Sequence, residues 1–341
     1  SRGKESIKID LKTEAGQAVI RDMASQVDVV IHNFRPGTMD TLSLGYDALR
    51  AVNPRLVYMA ISGFGTEGPL RRAPAYDPII QAHSGMAATQ GGDDSPAFIR
   101  SLLCDKITAY TACQAVTCAL FARERTGEGQ LIDLSMLDSG LFFMFPDGFQ
   151  NHALLDEDAV PGGMLIDILY DLTLTKDSGI TVAAANQEMQ GRMLQAIGLL
   201  HLLGDERFDT MQKLVENLHI FRGLVAEKCL EYTSDELLAL LREVEVPCAK
   251  CLTRDEVLAQ QQLSANDSIA EVDHPHLGTL RIVKAPPRFG GERLEPSRPV
   301  PAHGEHTESV LADFGLDSQQ IDALRSEGVL GRCTTSLLGR E

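Results

Sequence analysis

The chain has 341 residues, 44% of them hydrophobic, so it can bury a large core, and that length usually means two domains rather than one. A formal net charge of −17 argues against a sequence-independent nucleic-acid surface, which needs clustered cations, and no apolar run is long enough to span a bilayer. Seven cysteines, an odd number scattered without a secretory segment, predict reduced thiols in a cytoplasmic setting.

The chain begins without Met, and Ile7, Ile9 and Leu11 alternate with Ser6, Lys8, Asp10 and Lys12, which predicts a strand entered in mid-fold. Residues 13–25 carry Ala15, Ala18, Val19 and Met23 at helical spacing, with Thr13 placed to cap them. The apolar run 27–32 reads as a parallel strand buried on both faces. Asn33-Phe34-Arg35-Pro36-Gly37 follows at its C-terminal end, where open α/β sheets bind ligands. A short helix over 44–52 and a second buried strand over 56–61 come next, the strand opening into the loop 62–69. This alternation predicts an α/β fold with a doubly wound, mostly parallel sheet.

Asp105 heads the longest apolar helical pattern, with Ile107, Tyr110, Ala112, Ala115, Val116, Ala119 and Leu120 behind it. Two readings fit a carboxylate at that place. It can cap the helix, accepting from free N–H groups of the first turn. Alternatively it is a nucleophile that attacks an acyl carbon to form a mixed anhydride. Arg123 and Arg125 and the glycines of Thr126-Gly127-Glu128-Gly129-Gln130 end the helix; a strand over 131–135 and an apolar segment over 136–145 follow.

Several runs in order carry a resemblance. Arg2-Gly3-Lys4 with Ile9-Asp10-Leu11-Lys12, Asn33-Phe34-Arg35-Pro36-Gly37, Ser62-Gly63-Phe64-Gly65 with Gly68-Pro69, Ala75-Tyr76-Asp77, Ser84-Gly85-Met86, Asp105, Thr126-Gly127-Glu128-Gly129-Gln130 and Gly304-Glu305-His306-Thr307 together resemble the class III CoA-transferases. That family includes formyl-CoA transferase, carnitine CoA-transferase and, as a divergent branch, α-methylacyl-CoA racemase. The resemblance covers nearly the whole chain and suggests that an opening βα segment of the nucleotide-binding domain is absent.

The resemblance implies a Rossmann-like large domain, a smaller α+β domain, and an interlocked, ring-shaped homodimer. The large CoA-binding domain would occupy 1–150, the small domain 160–262, and a return linker with a C-terminal helix on the large domain 263–341. Within the small domain, 171–175 and 180–184 read as a hairpin, with helices over 187–197, 217–231 and 234–243, the last capped by Ser234 with Leu237, Leu238 and Leu241 inward. Residues 278–289 read as the return linker and 307–324 as one closing helix.

By the same resemblance, Asp105 matches the nucleophile that forms an acyl-aspartyl anhydride and then an aspartyl-CoA thioester. Ile9 and Lys12 match residues along the CoA adenine and phosphates. Asn33, Phe34 and Arg35 match the loop on the CoA moiety. Tyr76 and Asp77 fall on an active-site segment whose acidic side chain borders the nucleophile, and Gly162-Gly163 stand where the family has a mobile loop over the acyl group. Substrates are an acyl-CoA and a carboxylic acid, with a CoA thioester as substrate and no permanently bound cofactor, no metal, no nucleic acid and no membrane partner.

Two departures stand out: a position often basic in the family is Pro74, with Arg71 and Arg72 nearby, and the racemase branch's His is replaced at Met86, His83 lying one residue before Ser84. Three patterns are set aside. Cys248-Ala249-Lys250-Cys251 supplies only half a zinc site. Cys104 lacks a His partner and reads as a small buried residue. Gly63, Gly65 and Gly68 are followed by Pro69 rather than by a helix, which rejects dinucleotide binding. Two alternatives stay open beside CoA transfer, an acyl-CoA racemase or isomerase using Asp105 as acid/base and an inactive CoA-binding homologue.

Overall fold

Val29–His32 (β1), Val57–Ser62 (β2) and Leu131–Ser135 (β3) form a parallel sheet in the order β1-β2-β3. Its register runs from Val29↔Val57 to His32↔Ala60 and from Tyr58↔Leu131 to Ser62↔Ser135. Because the strands share one direction, the loops after β1 and β2 and the start of the helix after β3 meet at one edge. Only the central strand has the expected two-sided burial: Val57, Tyr58 and Met59 are at most 2% exposed, while Ile31 on β1 is 57% and Leu131 on β3 is 40% exposed.

The computed structural model describes residues 1–156, 172–184, 186–295 and 298–334. They divide into two compact units, Ser1–Met144 with Ser264–Glu341, and Phe145–Leu263. The sheet and helices α1 (Glu14–Ala24), α2 (Thr38–Thr41), α3 (Tyr46–Val52), α4 (Asp77–His83), α5 (Met86–Gly91) and α6 (Leu103–Thr126) belong to the first, and α7 (Met136–Gly148) leaves it.

Thr13 caps α1 as its sequence predicts, its extended backbone letting Oγ1 accept the Gly16 N–H at 3.0 Å. Leu44, Leu49, Leu56, Met39, Ala24 and Tyr58 then close one core around β2. The end of α6 is tied to this core by Arg123, which is 8% exposed. Its Nη2 lies 2.9 Å from Asp28 Oδ1 and its Nη1 donates to the Arg55 carbonyl at 3.2 Å. Gly127 stops the helix at φ +77°, and Gly129 passes so close to β2 that a Cβ there would sit 2.0 Å from the Leu56 carbonyl oxygen.

The opening segment departs from the expected strand. It pairs through a single antiparallel bridge, Ile9↔Leu330. The Gly304–Thr307 turn takes up much of the rest: Thr307 Oγ1 accepts the Lys8 N–H at 3.0 Å, His306 Nδ1 accepts the Ser6 N–H at 3.3 Å, the His306 N–H donates to the Ser6 carbonyl at 2.9 Å, and the Gly304 N–H donates to the Ser6 hydroxyl at 2.9 Å. Capping bonds of this kind replace a sheet ladder.

The single closing helix over 307–324 is two helices, Thr307–Asp313 and Ser318–Ser326, because Gly315 turns left-handed at φ +95° and Asp317 starts a fresh capping box with Gln320. The stretch read as a return linker contains a strand, Gly278–Val283, paired antiparallel with Ile269–His274.

In the second unit Thr173–Leu174 and Gly179–Val182 form the expected hairpin, with Cys248–Lys250 added along Gly179–Val182. Helices Gln187–Ala196, Leu218–Cys229 and Ser234–Glu243 surround Ile180, and Leu237, Leu238 and Leu241 face inward at 3% exposure or less. Thr233, not Ser234, caps the last helix through a capping box with Glu236. Ser234 is instead fully buried and donates to Asp177 Oδ1 through both its N–H and its hydroxyl.

The approach at Gly129 yields a prediction. Gly129→Ala must displace the Leu56 backbone and should cost about 3 kcal/mol, whereas Gly127→Ala meets open space and should cost about 1 kcal/mol for its left-handed backbone. Urea unfolding of the two variants checks this, and equal costs would mean that the turn relaxes freely.

Candidate active site

At the C-terminal edge of the sheet lies a cavity of about 430 Å³. The loop after β1 lends it Asn33, Phe34 and Arg35; the end of β2 lends Ser62 and Gly63. Arg71 and Tyr76 come from the segment before α4, Asp105 from the first turn of α6, and Met136 from the start of α7. Of the predicted site residues, the fold therefore brings Asp105, Tyr76, Asn33, Phe34 and Arg35 around one space. Arg71 borders it where Pro74 cannot supply a charge.

Asp105 is not the cap of its helix. The cap position is Leu102, which offers no side-chain acceptor. That role falls to Asp77, whose Oδ2 accepts the Asp105 N–H at 3.1 Å. Asp77 is 2% exposed, and its Oδ1 accepts from Gln81 Nε2 at 2.6 Å, one turn along α4. Gln81 is 1% exposed; the same nitrogen lies 3.1 Å from the carbonyls of Ile99 and Ser101, and its Oε1 accepts the Ile99 N–H at 3.0 Å. One buried carboxylate and one buried amide thus fasten the loop before α6 and the first turn of α6 itself.

This arrangement leaves the Asp105 side chain free for the cavity and sets its electrostatics. Partial burial, and then the charge of Asp77, hold its carboxyl above the usual aspartate range. Cys104, one residue earlier, points the other way: it is fully buried against Ile80, Met86 and Ile107. Burial together with Asp77 and Asp105 pushes its thiol up to about 11, so it stays protonated and is no nucleophile.

Other candidates lie apart from the cavity. Ile9 packs beside Val19, Leu311 and Leu330, and Lys12 is exposed with its N–H on Asp10 Oδ1 at 2.9 Å; neither lines the space. Gly162 and Gly163 lie outside the described residues. His83 sets its ring edge-on to Phe64 at 5.1 Å, and Met86 is fully buried. Among the described residues no group of three or more His, Cys, Asp or Glu could hold a metal ion. Gln81 and Met136 went unrecognised in the sequence; only the Asp77-x-x-x-Gln81 spacing on α4 could have pointed to the former.

Residues 1–307 match the family model "CoA-transferase family III", and the chain belongs to that family. It is 31% identical over 335 residues to a succinyl-CoA–D-citramalate CoA-transferase of Chloroflexus aurantiacus, covering 97% of this chain and 83% of that protein. It is 26% identical over 339 residues to the human succinyl-CoA:glutarate CoA-transferase, covering 98% and 77%. Among solved structures, a CAIB/BAIF family protein from Brucella suis matches with a TM-score of 0.78 and 30% identity, covering 92% of this chain and 82% of that one.

The carboxylate pair predicts opposite stability effects. Asp77→Ala leaves the Asp105 N–H without its acceptor and takes one of the three acceptors from the Gln81 amide, and should cost about 1–3 kcal/mol. Asp105→Asn should stabilise the fold at pH 7, because a carboxyl with a raised native pKa loses stability as pH rises from its unfolded value through its native one. That gain should vanish as pH falls below the unfolded carboxylate range. Urea titrations of both variants from pH 3 to pH 7 measure it, and an Asp105→Asn protein less stable at pH 7 would contradict the electrostatic reading.

Proposed function

We propose that the protein transfers CoA from an acyl-CoA to a carboxylic acid, with Asp105 as nucleophile. The observation that carries this is the Asp105 carboxylate, uncommitted to capping, facing a cavity it shares with Asn33, Phe34, Arg35 and Tyr76. An Asp105 oxygen attacks the thioester carbonyl carbon, the C–S bond breaks, and CoA leaves as thiolate from an acyl-aspartyl anhydride. The thiolate then attacks the Asp105 carbonyl carbon, freeing the donor acid and leaving aspartyl-CoA thioester. The acceptor carboxylate repeats the sequence in reverse. Forming either intermediate removes the Asp105 charge beside Asp77, so a repulsion present in the resting enzyme is relieved along the reaction. Asp77 acts in this scheme by positioning and charge.

Arg35 and Arg71 supply cations for CoA phosphates or for a substrate's second carboxylate. The names of the Chloroflexus and human relatives make succinyl-CoA the first donor to try. A second reading, racemisation with Asp105 as acid/base, draws on the same raised pKa. Against it, the position of the racemase branch's His is the buried Met86. Substrate α-proton exchange with deuterated water separates the two.

We also propose a homodimer, supported by apolar side chains left bare in the first unit: Tyr110 and Phe121 on α6 are 77% and 60% exposed, and Phe142 and Phe143 on α7 are 84% and 54%. Sedimentation should give a dimer at micromolar concentration, and a stable folded monomer there would overturn it.

Incubation with acyl-CoA and hydroxylamine should leave a hydroxamate on Asp105 alone. Asp105→Asn should fold and lose at least about 1000-fold in kcat, the scale on which nucleophile deletions act. Retention of most transfer by that variant, with no hydroxamate in the parent, would reject the nucleophile.

A further inference from the structure

Phe34, on the cavity wall and 44% exposed, is the outer end of an aromatic column. Its ring stacks on His32 at 5.9 Å and 22°, His32 meets the edge of Tyr58 at 5.3 Å, and Tyr58 meets the edge of Tyr46 at 5.9 Å. The inner end is anchored: Tyr58 is 2% exposed and its hydroxyl donates to the Leu44 carbonyl at 3.1 Å. His32 closes β1, with its backbone in register with Ala60 on β2. Its Nδ1 accepts the Phe34 N–H at 3.3 Å. Ring face and lone pair therefore both grip the residue at the centre of the loop 33–35.

We infer that His32 is a positioning residue for CoA binding: it holds the loop 33–35 in its receiving conformation through the Nδ1 acceptor and the stacked ring, and touches no reacting atom. This rests on the reading that Phe34 and Arg35 hold the CoA moiety. Acceptance at Nδ1 requires the neutral ring with its proton on Nε2. Burial lowers the His32 pKa and keeps that form in place, while Asp40 on α2 and Asp133 on β3 pull the other way. Against the ring's other side the Tyr58 phenol on β2 is pushed up to about 12, chiefly by burial, and stays neutral. Acidification adds a proton at Nδ1, so a donor faces the Phe34 N–H and the grip opens. A ring that merely filled space would be indifferent to that proton.

Two substitutions separate these roles. His32→Phe keeps the ring without the acceptor. His32→Asn keeps an acceptor for the N–H two residues on, as in an Asx turn, and cannot titrate. Calorimetric titration with CoA at pH 7.5 should show a Kd raised about tenfold for His32→Phe, the upper end of one lost hydrogen bond, and within about threefold of the parent for His32→Asn. The KM for acyl-CoA should follow Kd, with kcat at saturation little changed. Between pH 7.5 and 5 the parent's Kd should rise more steeply than that of His32→Asn, a comparison that cancels titration of CoA itself and of Asp105. If His32→Phe does not fold, this pH comparison alone decides. Parent-like binding by His32→Phe, or equal acid weakening in His32→Asn, overturns the inference. Phe34→Ala and Arg35→Ala keep the two levels apart: if they too bind CoA normally, the reading of the loop has failed, and if they weaken it while the His32 variants do not, only the role of His32 falls.

Discussion

A buried carboxylate has to find donors, and the way Asp77 finds them organises the candidate site of this protein. Its two oxygens take the Asp105 N–H and the Gln81 amide, and Gln81 in turn holds the loop that leads into α6. A charge that is nearly inaccessible to water is tolerated because these donors, and the N-terminal end of α6, compensate its lost hydration. The same bond that starts the helix therefore fixes where the next carboxylate points. It also leaves a fixed negative charge beside Asp105, which makes the ionised resting state the least comfortable one for that side chain.

The frame around that bond is built from short-range constraints of a different kind. Parallel strands bring three chain segments to one edge, and the register between β2 and β3 is held where α6 turns back: Arg123 reaches Asp28 and the Arg55 carbonyl, and Gly129 lets the chain graze Leu56. The Thr126–Gln130 run, noticed in the sequence as a motif, is thus explained by packing against the sheet rather than by chemistry. The Gly304–Thr307 turn is a second such case, since the Thr307 hydroxyl and the His306 imidazole and N–H serve the backbone of residues 6–8, and the Gly304 N–H serves the Ser6 hydroxyl.

Much of this was legible before the fold was known, where the signal is local. Thr13 before an amphipathic run, the apolar run at β2, and Leu237, Leu238 and Leu241 at helical spacing each carry their structural answer within a few residues. Where two adjacent residues compete, local pattern is ambiguous: Thr233 took the cap because Ser234 is drawn inward by Asp177, some sixty positions earlier. The capping reading of Asp105 failed for the same reason, as its helix receives its acceptor from Asp77 on another helix. Ile9 and Lys12 were placed by motif likeness, which says nothing of surroundings: Ile9 packs beside Val19 and Leu311, and neither residue lines the cavity at Asp105.

The cavity is held from two sides by networks with no shared member. On one side Asp77 and Gln81 orient Asp105; on the other Tyr58 and His32 brace Phe34. Residues without common partners act nearly additively, so the aim of Asp105 and the shape of the loop 33–35 are separable in this architecture. The separation suits the proposed reaction, in which one carboxylate would meet two different acyl groups in turn. Under the mechanism proposed above the acyl groups would change while the CoA moiety stayed the same, so a rigid wall for the constant part and an independently aimed carboxylate would serve both half-reactions. Coupling the two walls would make every adjustment on the Asp105 side disturb the loop 33–35, and nothing in the hydrogen bonds described for either network requires it.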